Sequence, residues 1–343
     1  MPSPVLVQLD EEIASNPKLV PVAQVLAFYG HSKRNDVGNR EFIGIHIEHL
    51  LGYWGDKVLS QVKRSTCEGY VEWRCAQTWA PPGAKAKKPV SDQTAARELN
   101  TLSAAIGVWH REHMLTAVPV VTRPGKRMKT PDWLTEIEYE RLIRCALGDR
   151  WIASDISTRH PVWENNKRPQ EHLARFIHIA FFQGSRHGGI LRQQWSRGDM
   201  HGYFDMTTRT CHRSGPGEPK TRKRETACRI HDRLYPMLED WRQADRKKGI
   251  DLVIHVDGEA IDRIDQSFAT AARHAGLDRR DVDGSMRETL PTPHILRHTR
   301  ATLMLLAGVP TAEVADYLGM TEAMVETTYG HSHVEYQKRA AAS

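Results

Sequence analysis

The stretch from Thr292 to His331, TPHILRHTRATLMLLAGVPTAEVADYLGMTEAMVETTYGH, says most about the fold and the chemistry of this chain. It opens with His294 and Arg297, which helical spacing places on one face of a helix. It closes on Tyr329, with His331 two residues further on. Taken alone, the His-Arg pair is typical of a structural pair, and the tyrosine is typical of a half-buried side chain. The rest of the chain decides between these interpretations and a catalytic one.

The composition is that of a folded protein without a membrane segment. The 343 residues suffice for two domains, and 40% hydrophobic and 26% charged residues are typical of globular chains. No stretch approaches the roughly 18 apolar residues that a membrane span needs. The start of the chain does not have the pattern of a signal peptide. Five cysteines without a CxxC pair argue for a reducing compartment and against a zinc site.

A basic, proline-containing segment separates two regions of helical pattern. The sequence TAVPVVTRPGKRMKTPDW, residues 116–133, has three prolines and a glycine, which stop helices. We therefore predict domains at 1–115 and 134–343, joined by a linker at 116–133. The linker is either a solvated loop or a basic strap across a phosphate backbone, and its local sequence favours neither.

The predicted N-terminal domain is a small helical bundle with basic loops. The segment SDQTAARELNTLSAAIGVWHREHML begins with the cap candidates Ser91 and Asp92 and repeats apolar residues at helical spacing. An earlier amphipathic helix spans Arg40 to Gly55. Seven basic residues in and around these loops and the linker are candidate DNA contacts: Lys85, Lys87, Lys88, Arg97, Arg123, Lys126 and Arg127.

The predicted C-terminal domain is mainly helical with a small antiparallel sheet. Thr135 and Glu138 have the spacing of a capping box, and an apolar helix then runs to a break at Gly184. Short β-prone runs around a Gly-Pro-Gly turn, within residues 200–234, predict two or three antiparallel strands. From LYPMLEDWRQA onward, helices are expected to continue to the C-terminus.

Four segments resemble the boxes of the tyrosine recombinases, also called phage integrases. They are FFQGSRHGGILRQQW, PKTRKRETACRI, HILRHTRATLMLLAGV and YLGMTEAMVETTYGH. The third and fourth are the most specific, whereas many basic hairpins are similar to the second. A weaker likeness to the core-binding domain of the family lies in ARELNTLSAAIGVWHRE. Their order along the chain makes the resemblance far stronger than any one box.

The resemblance implies a catalytic set of five residues. Tyr329 is the nucleophile, Arg186 and Arg297 clamp the phosphate, and His294 transfers a proton or orients the phosphate. Lys220 is the general acid, with Lys223 as the alternative within the same basic run. Two guanidinium groups can bind the equatorial oxygens of the transition state bidentately, and they supply the charge stabilisation that a metal gives elsewhere. Neither a metal nor another cofactor is therefore expected. His331 and His333 resemble a metal-binding tract but have no third ligand placed nearby.

The chain departs from the family pattern at two positions. Met320 stands nine residues before the tyrosine, where the family commonly has His or Trp, and it cannot donate a hydrogen bond to a phosphate oxygen. His331 is a candidate donor in its place. Gly189 stands three residues after Arg186, where an acid often supports the site. His298, about 100° around the helix from Arg297, is assigned to helix structure or to support of the site.

The family likeness implies a two-domain clamp around duplex DNA. Its members cleave and rejoin specific sites through a 3′-phosphotyrosine, acting as four protomers on two duplexes without ATP. A phage or another mobile element, in bacterial cytoplasm and near the nucleoid, is the implied setting. Few residues precede the bundle, which favours simple recombination sites without an arm-binding domain.

Three alternatives remain. A type IB topoisomerase has similar residues but rejoins the same strand. A DNA-binding protein that has lost catalysis is supported by Met320. A metal-dependent nuclease fits less well, because no cluster of Asp and Glu is evident in the sequence.

Overall fold

The chain folds into two compact units, residues 1–127 and 128–343. The computed structural model describes residues 9–34, 40–80, 87–125, 132–152, 162–165, 168–219, 226–281 and 284–329. The division falls inside the predicted linker. The first part of that segment packs on the first unit, because the backbone N–H of Thr116 donates to the carbonyl oxygen of Ser15 at 2.9 Å and Val121 is buried in the first core.

The first unit is a helical bundle with one short strand pair. Its elements are α1 (Glu11–Ser15), α2 (Val22–Ser32), α3 (Arg40–Trp54), a 3₁₀ turn (Leu59–Gln61), α4 (Arg64–Cys75), β1 (Thr78–Trp79), β2 (Lys88–Pro89) and α5 (Asp92–His113). Strands β1 and β2 pair antiparallel, which the sequence did not predict. They flank residues 81–86, which lie outside the described residues.

Helix α5 is the central element of this bundle. Its N-cap is Ser91, whose hydroxyl accepts from the backbone N–H of Thr94 at 3.2 Å, so one of the two predicted caps is confirmed. The apolar positions predicted to share a face are all buried; they are Leu99, Leu102, Ile106 and Trp109. Helices α2, α3 and α4 each pack against α5, and together they bury the first core.

The second unit is mainly helical with small antiparallel sheets. Its elements are α6 (Glu136–Ala146), β3 (Asp149–Ile152), β4 (Val162–Asn165), α7 (Glu171–Gln183), α8 (His187–Leu191), β5 (Tyr203–Asp205), β6 (Thr210–His212), β7 (Cys228–Arg229), α9 (Tyr235–Lys247), β8 (His255–Val256), β9 (Glu259–Ala260), α10 (Asp265–His274), α11 (His294–Leu306), α12 (Thr311–Leu318) and α13 (Glu322–Tyr329).

The sheets confirm part of the prediction and correct another part. Strands β5, β6 and β7 form the expected antiparallel sheet, in that order. The expectation of uninterrupted helices after α9 is wrong, since the β8–β9 hairpin separates α9 from α10. The β3–β4 hairpin was also missed. Each of these pairs is short and gains its stability from pairing, which single-strand periodicity does not reveal.

Helices α6 and α7 form the centre of the second core. The capping box at the start of α6 is confirmed, with the Thr135 hydroxyl accepting from the Glu138 N–H and the Glu138 carboxylate accepting from the Thr135 N–H. Helices α11, α12 and α13 enclose a separate apolar cluster that contains Tyr329. In the described part of the chain, no helix has the length and apolar character required to cross a membrane.

Candidate active site

The turn between α7 and α8 positions Arg186. Helix α7 ends at Gly184, whose φ of +60° is a left-handed conformation that glycine adopts without strain. A Cβ here would also clash with Cδ2 of Leu318 in α12. The half-buried Arg186 caps α8, and its Nη2 donates to the carbonyl oxygen of Gly319 at 3.3 Å. The turn thereby connects Arg186 to the segment that precedes α13.

Arg297 is a buried cation with a free donor. It is 2% exposed, and its Nη1 donates to the carbonyl oxygen of Gly184 at 2.6 Å. Its Nη2 is buried and has no hydrogen-bond partner among the described residues. Burial, together with the charges of Arg186 and Arg213, lowers the pKa of Arg297 to about 9, so the guanidinium stays protonated at neutral pH. An anion bound at Nη2 would satisfy this donor and relieve the repulsion.

Tyr329 is buried at the last residue of α13. It is 2% exposed and packs in the same apolar cluster as Val325 and Met320. Its hydroxyl oxygen lies 2.7 Å from Nδ1 of His298 on α11. It is also near enough to Arg297 for the phenol to act on the pKa of that guanidinium. The contact with His298 was not predicted, because it joins residues 31 positions apart.

His294 lies one turn before His298 on α11. The two rings meet edge to face, with centroids 4.5 Å apart. Although the His294 side chain reaches solvent, its crowded surroundings lower its pKa below 6.5, and Arg297, His187 and Arg186 lower it further. His294 therefore lies near Arg297 and Arg186, which we call the arginine side of the site, whereas His298 contacts Tyr329.

The loop that carries the predicted lysines is anchored at both ends. Lys220 and Lys223 themselves lie outside the described residues. The buried Arg213, just after β6, donates to the Ser185 hydroxyl at 2.9 Å, to the Gln183 carbonyl at 2.9 Å and to the Thr226 carbonyl at 3.0 Å. These bonds join both sides of the loop to the turn that precedes Arg186. Sequence reasoning missed this role of Arg213.

The other candidates at the site have simpler surroundings. Met320 is 7% exposed and packs in the cluster around Tyr329, so it fills space there. A Cβ on Gly189 would meet only the carbonyl oxygen of Arg213, at 3.9 Å, so packing does not require glycine at that position. His331 lies outside the described residues.

The predicted DNA contacts are divided between described and undescribed parts of the first unit. Lys87, Lys88, Arg97 and Arg123 are exposed. Arg123 also donates to the Asn100 side chain at 2.5 Å, which holds its guanidinium beside α5. Three of the predicted contacts lie outside the described residues; they are Lys85, Lys126 and Arg127.

The structure thus gathers four of the five predicted catalytic residues in one part of the second unit. Arg186 comes from the α7–α8 turn, His294 and Arg297 from α11, and Tyr329 from α13. These elements are more than 100 residues apart at the extremes. A tyrosine, two arginines and a histidine thus lie in the same part of the second unit.

Comparison with known proteins finds relatives in sequence and in fold. No protein-family model matches the chain. The integrase of Salmonella phage P22 is 22% identical over 325 residues, which cover 88% of this chain and 72% of that protein. The integrase of transposon Tn1549, solved with a circular intermediate DNA, aligns with a TM-score of 0.63 and 16% identity over 93% of this chain and 98% of its own. The lambda integrase dimer bound to a COC′ core site aligns with a TM-score of 0.56 and 16% identity, over 89% of this chain and 75% of its own.

Proposed function

This chain has the two-domain fold of the tyrosine recombinases and is similar in sequence to a phage integrase, and on that premise we propose that it is a site-specific DNA strand transferase. Tyr329 attacks a phosphodiester, forming a 3′-phosphotyrosine and releasing a 5′-hydroxyl. A 5′-hydroxyl from a partner strand then attacks the phosphotyrosine and reseals the DNA. The covalent intermediate conserves the bond energy, so the exchange needs no ATP.

The observation that carries this proposal is that the Tyr329 hydroxyl contacts His298, the residue next to Arg297 on α11. The phenol is close enough to act on the pKa of the guanidinium, and Nη2 of Arg297 is a buried donor without a partner among the described residues. A buried cation of this kind costs free energy unless an anion pairs with it. A DNA phosphate beside Tyr329 supplies that anion.

The arginines stabilise charge that develops in the transition state. As the phosphate becomes five-coordinate, negative charge gathers on its equatorial oxygens. Arg297 and Arg186 are tied to backbone carbonyls on neighbouring turns, so their guanidinium groups are oriented before DNA arrives. Preorganised donors do not have to reorganise during the reaction, and the charge they supply removes the need for a metal.

Proton transfers complete the cycle. A phenol has an ordinary pKa near 10 and must lose its proton as it attacks. The departing 5′ oxygen must gain one, and Lys220, carried by the loop anchored through Arg213, is the donor. Lys223 stands three residues further along the same basic run. His294, on the arginine side of the site, orients the phosphate.

The first unit supplies most of the affinity for DNA. Lys87, Lys88, Arg97 and Arg123 are exposed on it and contact phosphates; Lys85, Lys126 and Arg127 extend the same basic set. The two units close around duplex DNA as a clamp, and four protomers on two duplexes carry out the exchange. The setting is the cytoplasm of a bacterial host.

A recombination assay tests this function. Two DNA molecules carrying the attachment sequence, recovered from DNA that flanks the gene, are incubated with the protein in EDTA and without ATP. We expect recombinant products from the wild type and none from Tyr329→Phe, which should still bind the DNA.

Three other outcomes contradict the proposal. Relaxation of supercoils without exchange indicates a topoisomerase. DNA binding without any cleavage indicates a protein that has lost catalysis. Cleavage that disappears in EDTA indicates a metal-dependent nuclease.

A further inference from the structure

The residue that holds the nucleophile in this chain is a histidine outside the predicted catalytic set. The Tyr329 hydroxyl lies 2.7 Å from Nδ1 of His298, which is a short hydrogen bond between two buried or half-buried side chains. The ring centroids of these two residues are 5.7 Å apart, so the bond is made edge-on rather than by stacking. The contact joins α11 directly to α13.

The position of His298 on α11 explains this contact. His294 and His298 are four residues apart and therefore lie on one face of the helix. Their rings meet edge to face, which fixes the plane of the His298 ring. Nδ1 is then directed at the end of α13, where the last residue is Tyr329.

The electrostatic surroundings keep His298 uncharged. Burial lowers its pKa to about 4; His294 and Arg297 lower it as well, and Asp132 acts in the opposite direction. Within the described part of the chain, these groups and Tyr329 are the charged or titratable ones found to act on or contact the ring. A neutral imidazole has one nitrogen that accepts and one that donates. In the tautomer that carries its proton on Nε2, Nδ1 is the acceptor and the tyrosine O–H is the donor.

We propose that His298 is a positioning residue that orients the Tyr329 hydroxyl for attack. In that tautomer the O–H points to Nδ1, which holds the hydroxyl oxygen in one orientation. The proposal rests on the function proposed above, since it deepens the role of the same nucleophile. It also separates the two histidines of α11: His298 orients the tyrosine, and His294 faces the arginines that bind the phosphate.

The test measures cleavage by two variants of one position. His298→Leu removes the acceptor, whereas His298→Asn places an amide close to where Nδ1 stood and keeps a hydrogen bond to Tyr329. Single-turnover formation of the covalent adduct on a nicked suicide substrate should fall about 100-fold in His298→Leu, which is the cost expected from a misplaced reacting group. His298→Asn should remain within about tenfold of the wild type, and both variants should bind DNA as the wild type does.

A second pair in the same unit is the matched control. Nδ1 of His178 lies 2.6 Å from the Tyr139 hydroxyl, and burial likewise lowers the pKa of His178 to about 4. His178→Leu therefore removes an equivalent histidine–tyrosine bond that the proposed reaction does not use. It should lower the melting temperature and leave adduct formation per folded molecule unchanged.

A substrate with a better leaving group distinguishes a defect in the nucleophile from a defect in the general acid. A 5′-bridging phosphorothiolate substrate needs no proton donor, because a thiolate leaves readily. It should restore adduct formation to Lys220→Ala but not to His298→Leu. The proposal is overturned if His298→Leu cleaves within twofold of the wild type, if His298→Asn is as slow as His298→Leu, or if the phosphorothiolate rescues His298→Leu.

A measurement that does not require cleavage distinguishes this proposal from the proposed function. In ¹⁵N NMR of the histidines, Nδ1 of His298 should be unprotonated, and its resonance should move in Tyr329→Phe. Should the wild type form no adduct while this resonance moves, the function is wrong and the contact stands. A protonated Nδ1, or a resonance unaffected by Tyr329→Phe, overturns the inference directly.

Discussion

Two histidines of the second unit that lie against tyrosine hydroxyls, His178 and His298, carry no charge at neutral pH. Burial lowers the pKa of His178 and of His298 to about 4, compared with about 6.5 in an unfolded chain. Nδ1 of His178 lies 2.6 Å from the Tyr139 hydroxyl, and Nδ1 of His298 lies 2.7 Å from the Tyr329 hydroxyl. These two side chains together therefore bind up to two more protons in the unfolded chain than in the folded chain at pH values between 4 and 6.5.

This difference predicts a loss of stability in mild acid. A histidine with a lowered folded pKa contributes its full stability above pH 6.5, and that contribution falls as the pH approaches 4. The loss is up to about 3 kcal/mol for each of His178 and His298, because the pKa of each histidine differs by about 2.5 between the folded and the unfolded chain. His178→Asn keeps a partner for the Tyr139 hydroxyl but does not titrate, so its unfolding free energy should depend less steeply on pH. Urea unfolding of both proteins at several pH values checks this, and equal slopes would contradict it.

Single residues at the site were predictable where a motif fixes them. Arg186, His294, Arg297 and Tyr329 follow from the boxes that resemble the family, and the structure places them in one part of the unit. Their catalytic roles remain proposals. The contact of His298 with Tyr329 could not be predicted because its ring orientation depends on α13, which packs against α11 only in the folded chain.

At the scale of elements, one buried arginine bonds to both flanks of the segment that contains the predicted lysines. Arg213 bonds both flanks of the loop to the α7–α8 turn, and the Thr226 hydroxyl adds a bond to the carbonyl of Asp316 in α12. Gln183, fully buried, accepts from His231 in the chain that follows β7. Arg213 and Thr226, on the two flanks of this loop, are thus bonded to the elements next to Arg186.

Loss of Arg213 should act through the general acid. We predict that Arg213→Met lowers adduct formation at least tenfold, because a loop misplaced by about 1 Å slows catalysis strongly. The phosphorothiolate substrate should restore most of this loss, as for Lys220→Ala. Arg209→Met, in the turn before β6, is the control and should cleave normally, since Arg209 is exposed and stacks on Tyr235. A defect in Arg213→Met that persists with the phosphorothiolate would refute this role.

The helices were predictable from the sequence, and the short strands largely were not. The cap at Ser91, the capping box at Thr135 and the break at Gly184 are local signals, and each appears in the structure. Two-residue strands such as β1 and β8 have no periodicity of their own, because they exist only through their partners. Only the sheet around the Gly-Pro-Gly turn had a sequence signal strong enough to predict.

At the scale of the whole molecule, the predicted resemblance to the tyrosine recombinases is confirmed, as is the mainly helical fold with small antiparallel sheets. The relatives are dissimilar enough in sequence that only the boxes made the family recognisable. The domain limits, the clamp and the tetramer remain predictions, because they concern relations between units and between protomers.

Mapping the covalent adduct tests the central claim most directly. The wild type is trapped on a nicked suicide substrate in EDTA, digested with a protease, and analysed by mass spectrometry. We predict one modified peptide, in which the phenol oxygen of Tyr329 carries the 3′-phosphate of the cleaved strand, and no adduct with Tyr329→Phe. An adduct on another residue, or cleavage without any adduct, would contradict the account.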